Sequence, residues 1–395
     1  MPRDQASNGN HSRTDGYSEP KLRTACLEII MGPSPAAAVA FMALTACRAD
    51  TTATDDETSS ETVDVFDVYD GRFDQGVMPA SIQDGGYLDS VFINAAGDRI
   101  YFLHSILSPS VLDGSSTQEA CSHTEASLLA DHTAIPDLEW NTDLYFVEWE
   151  GARWSEPINL GAQVNSLAME CCMWLSDDET EIIFNTVSDL DGDGEDQDLD
   201  LAPTGNYRAT RAHRDAEWGT PVPLPDDYGT QSQDEEGVRH DIHKAPSGNL
   251  YLWETFGNGD NLLRFGERIG GTYDDPVYGP PVTLDGSTNY ETQVWVNDPE
   301  TRLVFNHRQA DGETELYTRE RATIDDPWGP SAGVPTTGFA DTAGRLIWGE
   351  PTFDDSEQFM IFVRFDTADN DCWTPDLMFS AGDPIGGFTG VTVLN

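Results

Sequence analysis

Twelve residues, from Asp189 to Asp200 (DLDGDGEDQDLD), carry seven carboxylates. Such a density repels itself unless a cation gathers the charges. Oxygen ligands fall at loop positions 1, 3, 5, 7 and 12, as Asp189, Asp191, Asp193, Glu195 and Asp200, and Gly194 stands at position 6, where the chain must turn sharply. Oxygen-only donors suit a hard cation, so the expected ligand is calcium in a structural role.

A second set of carboxylates recurs along the chain. Asp89, Glu170, Asp241, Glu291 and Glu350 each open one copy of a phrase: a short strand, a turn of Ser, Asp, Gly or Pro, and an aromatic-rich strand. A ring of such acids could do acid/base work, and glycoside hydrolysis needs two carboxyl groups about 5 to 9.5 Å apart. Asp89, Asp241 and Glu350 are the first candidates for that role. An acid at the head of every copy also suits a repeat-level structural task, and that reading is preferred. His240 and His243 flank Asp241, but residues three apart on a strand face opposite sides. They could share a metal only if the strand starts after His240, so an ordinary hydrogen-bonded pair is expected. No nucleophile elbow, phosphate loop or dinucleotide fingerprint occurs.

The elements that must position these residues follow from the repeat. Each copy resolves into four strands: in the first, VFINA, RIYFLH, DLYFVEWEG and ARWSEPINL. A four-stranded unit of this size cannot bury both faces of its own sheet, so neighbouring copies must stack. The expected fold is all-β, a β-propeller of four-stranded antiparallel blades. Five copies are complete. Residues 63–78 read as an extra pair of outer strands, with Phe73 in the Trp position, which would close the ring or belong to a sixth blade.

The phrase WLSDDETEIIF after an acid, followed by a D-L-Y strand and W-S-E-P-I-N-L-G, resembles the TolB-type, WD-repeat-like propeller blade of exported bacterial proteins. The resemblance covers residues 85–395 and implies a propeller, typically six-bladed. It implies little about function, because such blades serve binding modules and enzymes alike. The acidic loop resembles an EF-hand-type calcium loop. It departs at position 8, where Asp196 replaces an apolar residue, and at position 12, where Asp200 is shorter than Glu.

In a blade, the starts of the first strands and the connections between the second and third strands share one face. That face should carry a rim of Asp89, His104, Glu170, Asp241, Glu291, His307, Glu350 and Arg364, together with the long insertions at 105–137, 187–205 and 366–375. Long loops on one rim of a rigid scaffold are where function sits. Cys121, Cys171, Cys172 and Cys372 belong to this face too, and their even number suggests two disulfides with connectivity open.

With 71 acidic and 21 basic side chains, the chain carries a net charge of −50. Nucleic acid and anionic membrane surfaces are poor partners for the folded part, because no basic patch offsets phosphate repulsion. Residues 24–46 form the only long apolar stretch, ending in Leu44-Thr45-Ala46-Cys47, the pattern of a bacterial lipobox with Cys47 acylated. Three segments follow: a lipoprotein-type signal at 1–46, a polar, Thr-rich tether at 47–62 expected to be disordered, and the propeller at 63–395. The sequence thus describes an exported protein lipid-anchored to a bacterial membrane, touching the membrane through its anchor only. Its expected role is binding or scaffolding of an envelope protein or glycan. The competing class is a glycan-processing enzyme.

Overall fold

The computed structural model describes residues 72–73, 78–83, 87–105, 142–166, 168–187, 205–225, 228–229, 238–256, 260–309, 314–337, 346–366, 374–383 and 385–394. The signal segment, Cys47 and the tether lie outside them. So do Cys121, Cys372, the acidic loop from Asp189 to Asp200 and most of the three insertions.

Five antiparallel blades surround a channel. After a single helical turn, α1 (Ala80–Gln83), blade 1 runs from the axis outward as β1 (Tyr87–Ile93), β2 (Arg99–Ser105), β3 (Asp143–Glu148) and β4 (Ile158–Asn159). Blade 2 is β5 (Met169–Leu175), β6 (Glu181–Val187), β7 (Gly205–Thr210) and β8 (Val222–Pro223). Blade 3 has β9 (Val238–Lys244), β10 (Leu250–Thr255) and β11 (Asn261–Gly266); a hairpin, β12 (Arg268–Gly271) and β13 (Pro276–Tyr278), intervenes before its outer strand β14 (Val282–Thr283). Blade 4 is β15 (Glu291–Val296), β16 (Arg302–Arg308), β17 (Thr314–Glu320) and β18 (Ala332–Gly333). Blade 5 gains a fifth strand: β19 (Thr336–Thr337) runs parallel to the edge strand of β20 (Leu346–Phe353), β21 (Phe359–Asp366), β22 (Thr374–Asp383) and β23 (Gly387–Val393).

Inner strands are covered on both faces by neighbouring blades, which is why they read as continuous apolar runs. All of β2, β5, β10 and β15 is buried. The hydrophobic clusters sit between blades: Trp253 with Val294 joins blades 3 and 4, and Trp295 with Phe353 joins blades 4 and 5.

The extra strand pair expected at residues 63–78 lies mostly outside the described residues. Among them Arg72, Phe73 and Met78 are described, and none is in a strand. Phe73 instead plugs the joint between the last blade and the first, stacking on Phe379 at 4.2 Å and lying 6.1 Å from Trp154. Trp154 Nε1 donates to the Arg72 carbonyl at 2.6 Å.

Polar bolts fasten other joints, on turns that the sequence presents as ordinary acidic ones. Glu179, Glu300 and Glu357, at φ of 56°, 52° and 57°, occupy the turn between the first two strands of blades 2, 4 and 5. Each carboxylate reaches back to the preceding blade. Glu179 accepts from Asn94 at 2.8 Å and from Tyr101; Glu300 accepts from Asn249 at 3.1 Å and Tyr251 at 2.7 Å; Glu357 accepts from Asn297 at 3.0 Å and from Arg302. Blades 1 and 3 have Gly97 and Gly248 there, also at positive φ. Between blades 2 and 3 the fastening is Lys244, whose ammonium sits 2.8 Å from Glu181.

Candidate functional site

Every inner strand contains one residue in the left-handed region: Ser90 (φ 51°), Cys172 (60°), Asp241 (46°), Gln293 (51°) and Glu350 (53°). Each marks a break in register with the second strand, a β-bulge that re-aims the chain at the axis. Left-handed geometry costs a non-glycine residue roughly 1–2 kcal/mol. Five such costs borne around one ring are sustained only where the surrounding structure fixes them, and such strain clusters at functional sites.

These five residues line a throat of about 50 Å³ on the axis. A chain of bonds links them. Gln293 Oε1 accepts from the Glu350 amide at 3.1 Å, Glu350 accepts from the Val91 amide at 3.0 Å and the Ser90 hydroxyl at 3.4 Å, and Ser90 Oγ accepts from the Cys172 amide at 3.0 Å. The Cys172 thiol lies against Asp241, which accepts from Trp253 Nε1 at 2.5 Å. Asp89, one residue before its bulge, accepts from the Tyr87 hydroxyl at 2.7 Å and meets the Glu350 carboxyl.

Burial dominates the ionisation of this group. It raises Asp89, pushes Asp241 up to about 6, and lifts Glu350 well above the usual carboxylate range, where the charges of Asp89 and Asp241 add to the effect. Glu350 therefore holds a proton that it offers to Asp89, while Asp241 is mostly ionised at neutral pH. Burial, with the Asp241 charge second, also raises the Cys172 thiol, which stays protonated and is no nucleophile. One buried oxygen of Asp241, like one of Asp89 and one of Glu170, meets no hydrogen-bond donor among the described residues. A buried carboxylate oxygen in that position calls for a donor from elsewhere.

The five acids at the heads of the repeats are thus not equivalent. Asp89, Asp241 and Glu350 gather at the throat. Glu170 and Glu291 lie two residues before their bulges, each 1 % exposed and bonded within the wall. Glu170 accepts from Ser166 at 2.5 Å, with its pKa raised by burial; Glu291 accepts from Ser287 at 2.8 Å and pairs with Arg319 at 2.7 Å. His104 is buried edge-on to Tyr145, His307 is edge-on to Tyr317 at 5.1 Å, and Arg364 pairs with Asp376. The rim expected from the sequence is therefore split between an axial cluster and structural contacts.

His240 and His243 straddle the bulge and part company. His240 stacks on Trp253 at 4.2 Å, while His243 lies 6.0 Å from Trp174 across the channel. Burial lowers both to about 3, so both are neutral. Among the described residues no group of three or more His, Cys, Asp or Glu side chains is arranged to hold a metal ion.

The sequence did carry a signal for the ring. The left-handed residue stands two places before Phe92, Trp174, His243 and Trp295 in blades 1 to 4. Aligning the repeats on those rings rather than on the acids picks out Ser90, Cys172, Asp241 and Gln293.

No family model and no curated protein matches the chain. Among solved structures it is similar to a TolB-like protein of Agrobacterium tumefaciens (11 % identity, 78 % of this chain and 81 % of that one, TM-score 0.40). TolB of Acinetobacter baumannii is similar at 9 % identity and TM-score 0.35, over 78 % of this chain; the chain spans 57 % of that protein's length. A GH43 endo-arabinanase of Bacillus licheniformis is similar at 10 % identity and TM-score 0.43, over 78 % of this chain and 98 % of that one. Function does not transfer at such distances.

Proposed function

We propose that the propeller is a glycan-binding module of the cell envelope, with the axial ring of Ser90, Cys172, Asp241, Gln293 and Glu350 as its recognition centre. One observation carries the reading: three head acids leave the repeat pattern and converge, and two of them, Asp89 and Asp241, each keep a buried oxygen that meets no hydrogen-bond donor among the described residues. Sugar hydroxyls supply such donors, and the Gln293 amide and the protonated Glu350 offer the reciprocal groups. A throat of about 50 Å³ admits a hydroxyl-bearing arm rather than a whole ring.

Hydrolysis is the second reading, favoured by the separation of the acids into a protonated Glu350 and an ionised Asp241. Against it, Asp89 and Glu350 meet directly, closer than the roughly 5 Å that a retaining pair requires. Asp241 with Glu350 is the acid/base pair of the throat that this reading would use.

Export, acylation at Cys47 and a calcium ion held by Asp189, Asp191, Asp193, Glu195 and Asp200 belong to the same proposal. A disulfide at Cys171 fits an oxidising compartment.

The test incubates the full chain, with calcium and moderate salt, against a panel of polysaccharides while bound polymer and newly released reducing ends are both recorded. The expected result is binding without release, weakened about tenfold or more in Asp241→Asn and Glu350→Gln. Released ends that disappear in those variants would convert the throat into an active site. Binding unchanged in both variants would remove the throat from recognition altogether.

A further inference from the structure

The other end of the channel opens into a cavity of about 810 Å³, within the size range of small-molecule sites. Its inner wall is a collar of rings supplied by all five blades: Phe92, Trp174, His243, Trp295 and Phe353. They follow the left-handed residues by two or three positions. Trp174 lies 6.0 Å from His243, His243 stands edge-on to Trp295 at 6.4 Å, and Trp295 meets Phe353 at 4.5 Å. Because His243 is neutral, the collar itself carries no charge.

The mouth is acidic. Asp177, Asp298 and Asp355 stand five residues after Cys172, Gln293 and Glu350, so the five-fold register sets them around one opening. None pairs with a cation among the described residues. Burial, and then the charges of Asp298 and Asp355, push Asp177 up to about 6. The basic side chains that reach the cavity are already engaged: Lys244 and Arg208 with Glu181, and Arg211 with Glu179.

The chain shows inside this cavity how it holds an ammonium group. The β12–β13 hairpin carries Tyr273 across Lys244, whose nitrogen lies 3.5 Å from the ring centroid and 2.8 Å from Glu181. An aromatic face and a carboxylate together are the recognition chemistry of organic cations. A bare metal ion would want converging oxygens, and the collar has none.

We propose that this cavity binds an organic ammonium ion, its alkyl groups against the rings of Trp174 and Trp295 and its charge toward Asp177, Asp298 and Asp355. The site lies across the aromatic collar from the carboxyl throat, and Phe92, Trp174, His243 and Trp295 line both.

The experiment titrates the full chain with spermidine and, separately, with choline, following tryptophan fluorescence and heat. Sodium chloride at matched ionic strength serves as the control for general attraction to a highly acidic protein. A saturable response to either amine, weakened about tenfold in Asp298→Asn and in Trp295→Phe, is expected. Spermidine alone would point to primary amines, and choline alone to quaternary ones. The exposed Asp325→Asn should bind as the parent does. An equal response to sodium chloride, or equal affinity in Asp298→Asn and the parent, would overturn the proposal.

Discussion

Asp241 concentrates the physics of the throat in one side chain. Its carboxyl is pushed up to about 6 by burial, with the Asp89 charge adding to the effect, while Trp253 and Cys172 hydrogen-bond its ionised form. A folded pKa above the unfolded one means that the site contributes stability below the ordinary carboxylate range and loses it as pH rises through about 6. The facing groups reinforce the sign: Glu350 is raised further by Asp89 and Asp241, and the Cys172 thiol stays neutral. A displacement from 3.8 to about 6 corresponds to roughly 3 kcal/mol lost on ionisation. Asp241→Asn, which still accepts from Trp253 but cannot ionise, should therefore raise the melting temperature by roughly 5 °C at pH 8 and by almost nothing at pH 4. Scanning fluorimetry of parent and variant at both pH values checks this. An equal difference at the two values would mean that Asp241 is not held against its own charge. The spacing of acid to ring explains why the sequence alone gathered five acids where the structure gathers three. Asp241 stands two places before His243, Asp89 three before Phe92, and Glu170 and Glu291 four before Trp174 and Trp295.

At the scale of strands and turns, the repeat was legible because burial on both faces leaves long apolar and aromatic runs. The four-strand phrase, its third strands at Asn206, Asn261, Glu315 and Asp376, and the five complete copies all correspond to elements of the fold. The bulges were legible only through their spacing to the following ring, since Ser, Cys, Asp, Gln and Glu carry none of the glycine signal that marks left-handed backbone. The inter-blade bolts were hidden for a related reason: Glu179, Glu300 and Glu357 look like solvated turn acids in an acidic chain. Glu300 is in fact 1 % exposed, taking hydrogen bonds from Asn249 and Tyr251, with Arg321 at 3.8 Å. Removing one partner of a buried charged group costs about 3–5 kcal/mol. Gly97 and Gly248 show that glycine suits this turn, so Glu300→Gly relieves the left-handed φ and isolates the loss of the carboxylate. We expect it to destabilise the protein by about 3 kcal/mol in urea unfolding, and Glu300→Gln, which keeps an acceptor, by less. A Glu300→Gly variant as stable as the parent would show that blades 3 and 4 hold together by apolar packing alone.

Over the whole molecule, the few cations are spent on joints. Arg99, Arg208, Lys244, Arg302 and Arg319 all pair with acids inside or between blades, leaving the surplus of a chain with 71 acidic against 21 basic side chains to face solvent. Self-repulsion of that surplus opposes compaction and is screened within a Debye length of about 8–10 Å near physiological ionic strength. The melting temperature should therefore climb steeply with sodium chloride at low ionic strength and flatten as screening saturates. Calcium separates a general effect from a local one. If Asp189, Asp191, Asp193, Glu195 and Asp200 hold one ion, millimolar calcium should still raise the melting temperature in 0.5 M sodium chloride, where general screening is exhausted, by the mass-action increment expected of binding to the native state. Asp191→Ala should abolish that increment while leaving the sodium chloride dependence as in the parent, because one charge in 71 hardly alters the field. An increment equal in parent and variant would place calcium's effect on the acidic surface at large and deny the loop its ion.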